Sequence, residues 1–415
     1  MDKFMNIETL FTRLFSLCKL YQAVGVTWNP KNKKVSLLTS EKLSKVKWTS
    51  NLCILTNGIT FIQILHHYLL KEKQERNMEP FSLLLAGYVA LAFPTTTSYQ
   101  LVCKSKAESM ELYINGLLHF TASQRKKKVA KESIMKTVNF HEAIYMLYAW
   151  ILYVSLTLTP VIFIFGFHWT NPCRSTILAW WVIPECISIF RNSESLLLQF
   201  GMLLGKFVVL AVNYYIWAKS FCTFSYGVAG IQTLLILKLN WVIKIFGRTC
   251  NNKNAVAKSI GNLYREIQVL GLLYNNIVQN AFLIVTILLL FCMSVAFTVL
   301  IRMDWTMKNA LELAWFSVVG FNCILYFMVC VGGGMISIYT QTKKIVDNLK
   351  RRQPSSSDLK VTREKRLEDK WYKRFAGSCL PIRIKLGGSN YLEELTSLRC
   401  MECAVDWTIQ LLLLM

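Results

Sequence analysis

Histidine is scarce in this chain, with 5 residues among 415. None stands at zinc-binding spacing from the single Cys-x-x-Cys pair, Cys400 and Cys403, so no structural metal site is expected. Catalytic constellations are missing too. His141 with Glu142, and Glu185 with Cys186, are isolated pairs without a third orienting group, so neither an enzyme nor a bound cofactor is expected. Acidic residues are few, 24 against 47 basic ones. The basic residues sit in gaps between apolar runs rather than on an aromatic-interleaved surface, which argues against a nucleic-acid partner. Residues 1–47 have no apolar core of the kind a cleavable signal peptide requires, so the first span is expected to target the chain to the membrane.

What the chain has in quantity is apolar sequence. Hydrophobic residues make up 53% of it and the mean hydropathy is +0.36, more than a soluble core of this length needs. Six apolar stretches, at about 48–70, 81–103, 143–166, 196–218, 281–302 and 311–338, each approach or exceed the roughly 20 residues that cross a bilayer as a helix. A seventh closes the sequence at 391–415. The expected fold is therefore all-α, a polytopic protein of seven transmembrane helices in the plasma membrane. Lysine and arginine in alternate gaps set its orientation. The segments 1–47, 103–142, 227–280 and 339–390 hold 37 of them, whereas 71–80, 167–195 and 303–310 hold 6. Positive charge stays inside, which places the amino terminus in the cytosol and Met415 outside, the reverse of a G-protein-coupled receptor.

Four regions follow from this reading. Residues 1–47 form a cytosolic segment with an amphipathic helix at 7–24, carrying Ile7, Leu10, Phe11, Leu14, Phe15, Cys18 and Tyr21 on one face, to lie on the membrane or against the bundle. Residues 48–338 form a six-helix bundle. Its fourth and fifth spans extend into the cytosol through 227–280, where Trp241, Ile245, Ile260, Leu263, Ile267, Leu270 and Tyr274 recur at helical spacing. Residues 339–390 form a cytosolic loop, with the link RRQPSSSD and a charged helix from about Thr362 to Phe375 that either anchors an oligomer or is simply solvated. Residues 391–415 are the last helix.

In that last helix Arg399, Glu402, Asp406, Gln410 and Leu413 follow at steps of three, four, four and three, one narrow face of an otherwise apolar surface. Carboxylates at membrane depth need water or a partner. The stripe suggests an aqueous path shared by several copies of the helix, with Glu402, Asp406, Gln410 and Leu413 lining it. Arg399 and Glu402 also fit a cytosolic lead-in to a short span. In the outer half of the bundle, Tyr88, Tyr153, Thr157, Phe200, Trp315 and Phe316, with His66 and His67 nearby, offer aromatic and small polar groups suited to a small-molecule pocket, or to an interfacial belt.

Other features have two readings each. Pro94, Pro160 and the run Gly332, Gly333 and Gly334 interrupt spans as hinges or as static kinks. Gly201 and Gly205 form a small-residue packing pair. Lys206 is an intramembrane cation with Glu312 as a candidate partner. Cys173 and Cys186 share a loop expected outside, where a disulfide is possible.

The chain resembles arthropod chemoreceptors of the gustatory and odorant receptor superfamily. The likeness covers the whole architecture: seven spans, an inward amino terminus, a long basic loop before the last span and almost nothing after it. LYQAVGVTW at Leu20–Trp28 is similar to the superfamily's amino-terminal motif, and WTIQLLLLM at the end is loosely similar to its terminal pattern of Thr-Tyr, apolar residues and Gln-Phe. Here Thr408 follows Trp407 and Gln410 comes early. The resemblance implies a tetrameric, ligand-gated, non-selective cation channel, homomeric or heteromeric, gated by a tastant or odorant in the outer half of each subunit. Its seventh helices surround the pore. A seven-helix receptor signalling through a partner protein, or a secondary transporter, are the alternatives; repeated halves and broken helices expected of the latter are not visible.

Overall fold

The computed structural model describes residues 7–20, 23–29, 31–71, 100–126, 235–251, 257–302, 310–351, 363–388, 390–393 and 395–414, with isolated positions near 97, 150 and 220. These are mostly helical, with two small hairpins added to the all-α expectation. Helix α1 (Ile7–Leu20) turns Leu14, Phe15 and Cys18 into the main core, so it lies against the bundle. Its Phe15 ring stacks on Trp28 at 6.4 Å.

Strands β1 (Val26–Asn29) and β2 (Lys34–Leu37) pair antiparallel. Asn29 Oδ1 accepts the backbone N–H of Lys31 at 3.1 Å, an Asx turn that helps reverse the chain. The side chain of Asn115 ties the hairpin to helix α3 (Ala107–Lys126). Asn115 donates Nδ2–H to the Val35 carbonyl at 2.7 Å and accepts the Val35 N–H at 2.9 Å, imitating a neighbouring strand. Helix α2 (Ser40–Lys71) leads from the hairpin into the first apolar stretch.

Helix α4 (Ile236–Asn251) buries Ile236, Leu239, Val242, Ile243 and Phe246 at helical spacing. It is followed by α5 (Ala257–Arg302), whose 46 residues make the axis of the fold. At 1.5 Å per residue α5 is about 70 Å long. A hydrocarbon layer is about 30 Å thick, so more than half of α5 extends beyond what a bilayer would cover. Its amino-terminal half presents Tyr264, Ile267, Leu270 and Tyr274 to the core, as the spacing in 227–280 suggested. Its carboxy-terminal half is apolar on nearly every side. Helix α6 (Ala310–Leu325) packs along that half, then continues without a break through a π-helical segment (Tyr326–Ile336) into α7 (Ser337–Arg351). Among the described residues, Gly261–Arg302 and Phe316–Arg351 are helical stretches long and apolar enough to cross a membrane.

Helix α8 (Arg363–Ser378) is the charged helix expected from about Thr362. It is packed rather than merely solvated. Tyr372, Phe375 and Ala376 are buried against α5 and α7, and the Tyr372 hydroxyl donates to the Leu349 carbonyl at 3.2 Å. Glycines on α5 permit these close approaches: a Cβ at Gly261 would stand 2.8 Å from Trp371, and one at Gly271 would stand 2.7 Å from Ile382. The chain then runs extended along α5, held by Asn275, whose amide donates to the Arg383 carbonyl at 2.8 Å and accepts the Lys385 N–H at 2.9 Å. The hairpin of β3 (Lys385–Leu386) and β4 (Asn390–Tyr391) turns through Gly387, at φ +72°, and delivers helix α9 (Thr396–Leu414) to the carboxy-terminal half of α5.

The last helix thus begins at Thr396, five residues later than the apolar pattern from Tyr391 suggested. Tyr391 is taken by pairing with Lys385, and Thr396 Oγ1 accepts the Glu393 N–H at 2.8 Å in the turn before the first helical residue. Pro94, Pro160, Gly201, Gly205, Lys206, Cys173, Cys186, His141, Glu142 and Glu185 lie outside the described residues, as do the side chains of His66, His67 and Glu312.

Candidate functional site

Helix α9 comes closest to α5 along a strip of small residues. Ala404 is 0% exposed and Thr408 is buried beside it, and both face α5. Small side chains let the backbones approach. Ser294 Oγ on α5 lies 3.0 Å from the carbonyl of Ala404 and 3.0 Å from that of Leu290 in its own helix. Thr408 Oγ1 donates to the same Ala404 carbonyl at 2.7 Å. Beyond the strip, Arg302 at the end of α5 donates Nη2–H to the Leu412 carbonyl at 2.7 Å, satisfying a group that the last turn of α9 leaves unpaired.

The opposite side of α9 is open, and its sequence order divides it in two. Arg399, Glu402, Asp406, Gln410 and Leu413 are all exposed, Leu413 at 82%. None of the four polar side chains makes a hydrogen bond or ion pair among the described residues. Beside this stripe runs an apolar flank of Leu398, Val405 and Ile409, each at least half exposed. A single chain therefore presents two unlike surfaces on one helix, charged and apolar.

The base of α9 rests on the π-helical segment. Gly332, Gly333 and Gly334 all fall inside it, and a Cβ at Gly332 would meet Ser397 Oγ at 3.3 Å. Widening a helix turn displaces carbonyls from their usual donors. Here Asn240 of α4 donates Nδ2–H to the Gly334 carbonyl at 2.8 Å, and Ser337 Oγ bridges, 3.0 Å from both Asn240 Oδ1 and that carbonyl. The glycine run is thus the interruption its composition suggested, and a buried amide from another helix holds it. Asn240 carried no sequence signal beyond being a polar residue in an apolar helical pattern.

Of the pocket candidates, Phe316 is 1% exposed and packs with Val295, Ala296 and Val299. Leu411 of α9 packs against this cluster, so Phe316 is linked to the last helix through a few apolar contacts. Trp315 neighbours it on α6, its side chain undescribed, and Tyr88, Tyr153, Thr157 and Phe200 lie outside the described residues. Of the six, Phe316 is thus the one whose side chain is described. Among the described residues no group of three metal-ligating side chains is gathered. Cys400 and Cys403 are half-buried and free.

No family model matches the chain, and no curated protein matches it. Solved structures do. The insect olfactory receptor OR5 from Machilis hrabei, in complex with eugenol, superposes with a TM-score of 0.60 at 10% identity, covering 100% of both chains. A structure of the same receptor described without eugenol gives 0.58 at 10% identity, again over 100% of both. The chain's fold is similar to that receptor's.

Proposed function

We propose that this chain is a subunit of a chemosensory, ligand-gated cation channel in the plasma membrane, with seven spans, an inward amino terminus and α9 lining the pore. One observation carries the reading: α9 leaves Glu402, Asp406 and Gln410 exposed and, among the described residues, unpartnered on one face, in a fold shared with an olfactory receptor. Carboxylates left bare on a membrane helix are costly against lipid, and a shared aqueous axis removes that cost. Four copies around the axis, of this chain or of related ones, put Glu402 and Asp406 in acidic rings that favour cations without strict selection, and Leu413 in a ring that closes the outer end by dewetting.

The ligand in this reading is a small, largely apolar odorant or tastant held in the outer half of the bundle near Phe316. Binding there biases the closed and open arrangements by its differential affinity for the two. The apolar cluster that holds Phe316 and meets Leu411 supplies a short mechanical route, and the π-helical segment under Ser397 a place for α9 to pivot. The test is current from cells expressing this chain during a panel of volatile and sapid compounds, alone and with co-expressed receptors of the same fold. Ligand-evoked cation current that Asp406→Asn alters in selectivity supports the reading. Unaltered selectivity in that variant removes the acidic ring.

A further inference from the structure

A second feature lies at the opposite end of α9 from the outer pocket. Between α7, the β3–β4 hairpin and the first turns of α9 runs a groove of about 970 Å³. One guanidinium is built into it. Arg383 is placed by its own backbone, whose carbonyl accepts from the buried Asn275. Its Cζ stands 5.1 Å from the Tyr339 ring and 5.5 Å from the Tyr391 ring, so two aromatic contacts fix it. Lys343 and Arg399 line the same groove. None of the three makes an ion pair among the described residues, and Glu393 is the single carboxylate among the described lining residues. Aromatic contacts to a guanidinium leave its edge N–H donors free to grip two oxygens of an anion such as a phosphate. The lining is also apolar in part, with Leu395 of the turn before α9 and Leu290 of the apolar half of α5.

We propose that this groove binds the phosphorylated headgroup of an anionic lipid of the inner leaflet. Phosphate oxygens meet Arg383, Lys343 and Arg399, and an acyl chain leaves along Leu290. The mixed lining distinguishes a lipid from a soluble anion, because a free phosphate has no use for the apolar part. The placement rests on the inward orientation of segment 339–390, the most basic gap in the sequence. It does not require that the chain conduct.

The experiment uses the full chain in nanodiscs of zwitterionic lipid, titrated with short-chain phosphatidylinositol bisphosphate, short-chain phosphatidylserine, inositol trisphosphate and inorganic phosphate. The phosphoinositide is expected to bind most tightly. Arg383→Gln is expected to weaken it roughly tenfold or more, the loss typical of a charge-assisted contact. Arg383→Lys restores little, since an ammonium lacks the planar fork, and Tyr339→Phe, which keeps the ring, binds as before. Lys34→Gln, on the β1–β2 hairpin, leaves binding unchanged. Equal binding by wild type and a folded Arg383→Gln overturns the proposal, as does an equal loss in Lys34→Gln. Inositol trisphosphate or phosphate binding as tightly as the lipid also overturns it, assigning the groove to a soluble anion. Should Arg383→Gln fail to fold, Lys343→Gln carries the same test. Binding is read without current, so a negative result leaves the channel reading standing, and an absent current leaves this one standing.

Discussion

Asn240 is a buried amide in a helix whose other inward residues are Ile236, Leu239, Val242, Ile243 and Phe246. Its bonds to Gly334 and Ser337 satisfy polar groups that the π-helical turn exposes in an apolar setting. Leaving a buried acceptor bare costs about 1–3 kcal/mol. Asn240→Leu is therefore expected to lower the melting temperature of the purified chain, and Ser337→Ala to do so less, because the amide remains. Equal melting of Asn240→Leu and wild type contradicts the role. A thiol gives a second residue-scale outcome. Cys379, where α8 passes into the extended strand along α5, is buried, and burial pushes its pKa up to about 11, against the lowering influence of Arg265 and Lys350. The neutral thiol is favoured by folding at all pH below the ordinary thiol value, and that preference is lost only as pH rises toward 11. Alkylation at Cys379, followed by mass spectrometry at pH 8, should be slow in the native chain and fast after denaturation.

At the scale of elements, the sequence was most legible where periodicity was long. The 3.6-residue recurrence of Ile267, Leu270 and Tyr274 joined to the apolar run at 281–302 reads as one helix, and α5 is one helix. The charged stretch near Thr362 was ambiguous because its buried residues, Tyr372, Phe375 and Ala376, crowd into one end of it. Tertiary contact packs this helix against α5 and α7, and no local pattern reveals that. The start of α9 was misplaced because Tyr391 and Leu392 are apolar for a hairpin and a core contact, not for a helix. The carbonyl contacts that lock α9 to α5, through Ser294 and Ala404, leave no trace in hydropathy. They do make a sharp expectation. Ala404→Leu forces bulk into the strip where the two backbones meet, and overpacking of that kind costs about 1–3 kcal/mol. It should separate α9 from α5 and abolish evoked current while the protein still reaches the cell surface, whereas Val405→Leu, on the open flank, should preserve current. Equal currents in the two variants would contradict the assigned faces.

For the whole molecule, the charge asymmetry and the stripe on α9 make linked demands. In the proposed topology, thirty-seven basic residues in alternate gaps against six in the others are expected to keep the amino terminus inside, and seven crossings would then put Met415 outside. Epitope tags at the two ends test this directly: the amino-terminal tag should stain after permeabilisation alone, the carboxy-terminal tag on intact cells. The stripe adds a demand on assembly. If Asp406 faces an axis shared by four subunits, the charge of the ring changes in steps as Asp406→Asn copies replace wild type, and each mixed assembly is a channel of its own. Cells expressing both forms should then show single-channel conductances at intermediate levels between the two parental values, with populations that follow the ratio of the two transcripts. If each chain instead conducts through its own bundle, or Asp406 faces lipid, the mixture can hold only the two parental levels. Mixed expression therefore separates a shared pore from a private one even where Asp406→Asn alone merely reduces current.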